Sequence, residues 1–242
     1  MYNLLVCFTK KGYIMFRLFF LFLGFVLFPQ FCQAQSWDVS PEKDYQKGVV
    51  LLQGDGLQGS GTVVKFIEDA GENYIGLILT ASHCVKDKST LFNVFFSGGK
   101  KSEGGIVAYN SMYIFESYND VALIEAVIPD EIPVVEISNE KVKCGEEVEM
   151  CGYATGSLRH WNAKYAGSSI PQDGHVIFSW AIQGDSGGPI LYKGKIIGVI
   201  CFGTALERFN DRYIVGPIHG TNIDRVRFYI DNYKRKKITK EV

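Results

Sequence analysis

No uninterrupted apolar run in this chain exceeds 11 residues, from Leu18 to Phe28 in "FRLFFLFLGFVLF". A helix that crosses a bilayer needs about 20 apolar residues, so this run is too short for a span. Neither sign of charge is in excess: 25 basic residues stand against 26 acidic ones. Nothing in that balance attracts nucleic acid, and the "KRKK" at Lys234 to Lys237 reads as a solvated helix end. There is no repeat period and no low-complexity run, so an ordinary globular chain of one large or two small domains is expected. A G-x-S-x-G elbow is missing, which argues against an α/β-hydrolase. So is G-x-x-x-x-G-K-[ST], which argues against a phosphate-cradling loop. Histidine is scarce, and the four present are His83, His160, His175 and His219.

What stands at the N-terminus resembles an export signal. The short apolar run carries one positive charge, Arg17, and leads to "FCQAQS", where Cys32 and Ala34 have the small-residue spacing of a cleavage site. Cleavage is expected after Ala34, with Met15 an alternative start. Residues 1–34 are therefore assigned as a signal peptide, and the product as secreted or periplasmic with no lasting membrane insertion. Their loss removes Lys10, Lys11 and Arg17 and no acid, leaving 22 basic against 26 acidic residues. Export permits disulfides, and Cys84, Cys144, Cys151 and Cys201 remain to form them. Four cysteines allow three full pairings. Cys144 and Cys151 are not expected to bond each other. The strand-like "EEVEM" between them would hold them roughly 23 Å apart, and a disulfide needs Cα atoms within about 7 Å.

Beyond Gln35 the sequence is a series of short β-branched and aromatic runs. "KGVVLLQG", "GTVVKFI", "YIGLILTAS", "TLFNVFF", "GIVAYN" and "DVALIEAV" precede a proline-bearing linker, "IPDEIPVVEIS". "EEVEMCGYA", "HVIFSWA", "GPILYKG", "KIIGVICFG" and "RYIVGPIHG" follow it. Gly, Asp, Asn or Lys separates most of them. Only "NIDRVRFYIDNYK" reads as helix, with Ile223, Val226, Ile230 and Tyr233 at three- and four-residue steps. Many short strands and one terminal helix predict an all-β sandwich or barrels. The strand pattern does not say whether there is one barrel or two.

Three short stretches carry chemistry. In "QGDSGGPI" the glycines at 184, 187 and 188 let the backbone turn sharply around Ser186. Its N–H groups can then face an open space, as an acyl-transfer enzyme needs beside its nucleophile. A serine hydroxyl also needs a base, and His83 in "LILTASHC" follows a buried run where a strand end presents a side chain. An acid must orient that imidazole, and Asp120 in "YNDVALIEA" immediately precedes another strand. Singly, each is as well explained by a tight turn, a packed histidine or a strand-start residue.

Together and in this order, "TASHC", "NDVALI" and "GDSGGP" resemble the signatures of the chymotrypsin/trypsin-like serine proteases. "VVLLQGDGLQGSGTVV" is similar to that family's opening strands, "IIGVICFG" to its substrate-binding strand and "TNIDRVRFYIDNY" to its closing helix. The resemblance implies an all-β fold of two Greek-key six-stranded β-barrels with a short C-terminal α-helix. It divides the chain into residues 35–132, bearing His83 and Asp120, and residues 133–242, bearing Ser186. It implies His83 as general base and acid, Asp120 as its orienting partner, Ser186 as nucleophile, and the N–H groups of Gly184 and Ser186 as oxyanion hole. Trp180, Ala181, Gln183, Cys201, Phe202 and Gly203 fall at substrate-binding positions. The implied activity is endopeptidase action on proteins or peptides by a monomer, with no metal and no organic cofactor.

Departures from the family pattern are informative. The usual partner of Cys84 would lie near "QGSGT", where the chain has Ser60 and no cysteine, and Ile182 and Tyr192 replace the cysteines flanking "GDSGGP". Spacings of 37 and 66 residues between the triad members mean trimmed loops, as in compact microbial members. No IVGG-like start lies between Gln35 and Gly59 to pair with Asp185 after a zymogen cut. Asp185, if buried, therefore needs another cation or donor, and activity without pro-peptide cleavage is expected. The position six residues before the nucleophile, acidic in trypsin-type members, is Trp180. Cleavage after Arg or Lys is thus disfavoured, and an apolar or small side chain is preferred. His175 or His219 would matter in a glutamate-cleaving pocket, although a strand or turn role suits both better. A binding protein on the same fold and an esterase using the same triad are the rival functions.

Overall fold

The computed structural model describes residues 43–54, 56–85, 91–109, 120–154, 156–169, 174–203, 207–209, 213–221 and 223–233. The signal-peptide assignment and the "KRKK" stretch lie outside them. A turn of 3-10 helix, Asp44–Gly48, leads into β1 (Val49–Gly54), β2 (Leu57–Asp69), β3 (Asn73–Thr80), β4 (Leu91–Phe95), β5 (Lys101–Tyr109) and β6 (Ala122–Pro129). These six close into an antiparallel barrel in the order β1-β2-β3-β6-β5-β4.

A second set follows: β7 (Glu147–Gly152), β8 (Arg159–Ser169), β9 (Gly174–Ile182), β10 (Pro189–Tyr192), β11 (Lys195–Gly203), β12 (Glu207–Phe209) and β13 (Tyr213–Gly220). Their order is β11-β10-β7-β8-β9-β13-β12, and β11 also pairs with β13. That pairing, Ile200 opposite Gly220 and Gly203 opposite Ile218, closes a second six-stranded barrel and leaves β12 as an appended hairpin strand. With β12 set aside, the second ring repeats the strand order of the first. The expected two-barrel, all-β architecture is therefore present, with α1 (Ile223–Asp231) as its terminal helix.

The sequence hides the barrels because their strands are apolar on both faces. On β1, Val50 and Leu52 point into the first barrel with Val63, Ile78, Phe92 and Ile124. Their neighbours Val49 and Leu51 point outward, into a core shared with Leu79, Cys151, Leu191, Val199 and Val226. Alternating side chains face opposite sides of a strand, so one strand serves a barrel interior and the seam between barrels. The second interior holds Val148, Met150, Trp161, Ile177, Ile190 and Ile218.

The segment read as a linker is pinned to both barrels. Val135 N–H donates to Val63 O at 2.8 Å, and Ser138 N–H to Ile196 O at 2.8 Å. Helix α1 buries Val226 and Ile230, while Arg227 donates to Ser138 O and Tyr233 to Glu125. At the other end of the chain, the carboxylate of Glu149 on β7 accepts bonds from Lys43, Tyr45 and Gln46 at 2.9, 2.6 and 2.6 Å. That holds the first turn against the second barrel. The four described cysteines are all unpaired. Among the described residues no helix is long and apolar enough to cross a membrane.

Candidate active site

The end of β3 sets the first side chains. Past Thr80 the chain makes one 3-10 turn, Ser82–Cys84, which presents His83 with about a third of its side chain exposed. Asp120 sits just ahead of β6, the strand beside β3, and is buried. One carboxylate oxygen accepts from Ser82 Oγ at 2.7 Å and from the His83 N–H at 2.9 Å. The other lies 2.5 Å from His83 Nδ1. Burial works against ionisation of Asp120, but the bonds from His83 and Ser82 outweigh it and hold the carboxyl below its ordinary range. Burial would likewise depress His83. The Asp120 carboxylate, with Cys84 adding to it, overrides burial and raises the imidazole to about 10.

Ser186 arrives from the second barrel, in the turn between β9 and β10. The turn is built on close contacts that only glycine tolerates. Gly184 and Gly187 have φ of +105° and +85°, and a Cβ on Gly187 would fall 2.1 Å from Ser60 O. Inside it, Asp185 N–H donates to Ile182 O and Gly188 N–H to Asp185 O, both at 3.0 Å. Neither the Gly184 nor the Ser186 N–H is taken up by a hydrogen bond among the described residues. The Ser186 hydroxyl makes a long bond, 3.4 Å, to Cys201 O. Cys84 Sγ lies 3.7 Å from His83 Nε2 and 3.6 Å from Ser186 O, so one thiol touches both His83 and Ser186.

Asp185 is fully buried, and its cation is Arg159 at the start of β8, 3.5 Å away and also buried. Ile182 N–H and Ala154 N–H donate to the same carboxylate at 2.8 and 3.3 Å. Burial raises the Asp185 carboxyl, with the Arg159 charge and these two donors opposing it. The guanidinium carbon lies 4.9 Å from the ring of Trp161 and 4.6 Å from that of Trp180. Trp180, half-buried, also stacks on Trp161.

The remaining predicted residues are placed as follows. Ala181 is buried and Gln183 exposed. Cys201 turns its thiol to Thr221 Oγ1, 2.8 Å away, so it is the carbonyl that faces Ser186. Phe202 and Gly203 continue β11 opposite His219 and Ile218. His175 is half-buried, bonded to Ile197 O at 2.6 Å and to Tyr165 at 3.0 Å, and desolvation depresses its pKa. Burial also depresses His219. Within the "QGSGT" stretch it is Gly59 that stands opposite Cys84. A Cβ on Gly59 would lie 3.0 Å from the sulfur. Ser82, Ser60, Arg159 and Thr221 were not singled out as site residues from sequence.

The profile of the trypsin-like peptidase domain matches residues 59–199. A trypsin from Simulium vittatum is 23% identical, over 60% of this chain and 74% of its own length. Among solved structures, the Rv3671c protease of M. tuberculosis in an inactive form is similar at 22% identity and a TM-score of 0.57, covering 79% of this chain and 91% of that one. Human heparin binding protein is similar at 16% identity and a TM-score of 0.57, over 79% and 93%. The family match spans more than half of the chain, and the chain belongs to the trypsin-like peptidases, a family of serine endopeptidases.

Proposed function

We propose that the protein hydrolyses peptide bonds by covalent catalysis at Ser186, with His83 as general base and Asp120 as its orienting acid. The observation that carries this is the pairing of His83 Nδ1 with a buried carboxylate at 2.5 Å. In the free-base imidazole Nδ1 then keeps its proton and Nε2 is left to accept one. Substrate binding brings the Ser186 hydroxyl off its long bond to Cys201 O and onto His83 Nε2, since nucleophile–base contacts tighten in the substrate complex. Ser186 Oγ attacks the scissile carbonyl carbon and its proton passes to Nε2. The carbonyl oxygen, now anionic, takes the N–H groups of Gly184 and Ser186. Nε2 returns the proton to the leaving amine, and water then hydrolyses the acyl-enzyme by the same steps.

Arg159 supports activity without a freshly cut N-terminus, because Asp185 already has its cation within the chain. Trp180 stands where trypsin-type members carry an acid that attracts a basic side chain, and an uncharged residue there favours apolar or small residues at the cleavage point. We assign residues 1–34 to a signal peptide, residues 35–132 and 133–242 to the two halves, and the product to a secreted or periplasmic monomer. The rival binding-protein reading gains nothing from the site, since His83, Asp120 and Ser186 all stand.

A fluorophosphonate probe tests the site. Purified parent protein is expected to label, and Ser186→Ala and His83→Ala are not. A folded parent that stays unlabelled, or a Ser186→Ala protein that still labels, overturns the assignment. A peptide library on the labelled protein then tests the preference at the cleavage point.

A further inference from the structure

The turn that carries Ser186 is held from outside its own barrel, and the holder is Ser60 on β2. Ser60 is fully buried. Its hydroxyl donates to Gly184 O at 2.8 Å and accepts from Tyr153 N–H at 2.8 Å. Its own N–H donates to Ser186 O at 2.8 Å, and its carbonyl accepts from Thr80 Oγ1 at 2.7 Å. One residue of the first barrel thus grips the carbonyls on both sides of Asp185.

From this we infer that Ser60 is a positioning residue for the oxyanion hole, acting through the peptide plane between Gly184 and Asp185. That inference rests on Ser186 as the nucleophile. A peptide group is planar, so fixing Gly184 O and the Asp185 N–H on Ile182 O fixes the whole unit. The neighbouring dihedrals of Gly184 and Asp185 follow. These set where the Gly184 and Ser186 N–H groups point. Gly184 is free to rotate because glycine accepts either sign of φ. Without the Ser60 hydroxyl, nothing else described holds its carbonyl, and the peptide keeps only the Asp185 N–H on Ile182 O, so its tilt loosens. That loosening spreads through ψ of Gly184 and φ of Asp185 to the peptides on either side and misaims their Gly184 and Ser186 N–H groups, while His83, Asp120 and the Ser186 side chain stay in place. Ser60 therefore acts on the stabilisation of the oxyanion and leaves ground-state binding of substrate unchanged.

The test compares Ser60→Ala and Ser60→Thr with the parent on one peptide substrate, with thermal unfolding measured alongside. Removing a direct oxyanion donor costs about 10²–10³ in kcat. Loosening its holder in Ser60→Ala is expected to lower kcat ~10–100-fold and the fluorophosphonate labelling rate in proportion, with KM shifted less than about threefold. Ser60→Thr keeps the hydroxyl and is expected to regain most of kcat. Should Ser60→Ala not fold, Ser60→Cys keeps the volume with a weak donor and is expected to show the same kcat loss. A folded variant whose kcat stays within threefold overturns the inference, as does a loss seen only in KM, or a Ser60→Thr protein as slow as Ser60→Ala at equal stability. In each of these cases the labelled parent leaves Ser186 intact as nucleophile. A folded parent that does not label marks failure of the site itself.

Discussion

Each barrel buries one aspartate near the site, and the two are treated in opposite ways. In the first barrel Asp120 gathers Ser82, the His83 N–H and the His83 ring, all neighbours in its own barrel, and its carboxyl is held below the ordinary range. In the second, Asp185 meets two backbone donors and a guanidinium 3.5 Å away, and burial raises its carboxyl. Groups driven apart in this way serve separate roles. Asp120 is kept ionised and holds the His83 ring. Asp185 is a buried charge whose ionised form depends on one cation, and it shapes the turn. The first barrel holds the Asp120 carboxylate with its own residues, whereas the second forms a tight glycine turn that takes support from Arg159 within and Ser60 without.

The largest expected effect tests the first half of this contrast. Asp120→Asn keeps an acceptor for Ser82 and the His83 N–H but presents an amide N–H₂ to Nδ1, which forces the wrong tautomer. Loss of kcat by ~10⁴-fold is expected, with the fold retained. The pH dependence sharpens it. His83 is raised to about 10, so it is protonated at lower pH and becomes the free base as pH rises. Labelling of the parent is therefore expected to climb through the alkaline range. In Asp120→Asn the midpoint moves down toward 6.5, the ordinary histidine value. Stability runs the other way. The raised histidine contributes in full below its unfolded value and loses that contribution as pH rises through its folded one. The depressed Asp120 contributes above its unfolded value and is lost as pH falls through its folded value. Unchanged pH profiles in parent and variant would break the link between Asp120 and His83.

Next in size is Arg159→Met, which removes the cation and keeps the chain length. It leaves a fully buried carboxylate with two backbone donors, at a cost of about 3–5 kcal/mol by urea unfolding at neutral pH. Asp185→Asn in the same chain is expected to recover most of it. So is acid, because protonating an acid whose folded pKa is raised favours the folded state. Arg159→Met within about 1 kcal/mol of the parent at neutral pH would mean that Asp185 does not depend on this cation.

Particular residues explain which of these features were legible beforehand and which were not. The proposed site residues stood out because His83 and Asp120 flank apolar strands and Ser186 sits in a glycine turn, each inside a recognisable motif. The number of barrels was not, because Val49 to Leu52 are all buried and lack the alternation that marks an inner face. Closure rests on pairs far apart in sequence, such as Leu51 with Phe95 between β1 and β4. Arg159 did carry a signal. Trp161, Ala163 and Tyr165 are buried at two-residue steps on β8, and Arg159 continues the same face. A charge at an inward position asks for a buried partner, and Asp185 was already in need of one. Ser60 carried no such mark, since its role lies in bonds to Gly184 and Tyr153, more than 90 residues away.

The smallest expected effect tests how far the first barrel tolerates a staple. A Cβ on Gly59 would lie 3.0 Å from Cys84 Sγ and 3.4 Å from its Cβ. The first value is about that set by a disulfide between one Cβ and the far sulfur, and the second is close to the ~3.5–4.5 Å usual between bonded Cβ atoms. Gly59→Cys is therefore expected to oxidise with Cys84 and to add roughly 3 kcal/mol through closure of the intervening loop, read as a rise in melting temperature that dithiothreitol reverses. Labelling by the probe is expected to stay within about threefold, because Asp120, His83 and Ser82 support one another inside that barrel. The nearest strain falls on Ser186 O, 3.3 Å from the new Cβ, which Ser60 also holds. A stapled protein that gains stability yet loses labelling would show that strain entering from the first barrel reaches the turn through that carbonyl. The second barrel, rather than the first, would then be the part of the site that tolerates least displacement.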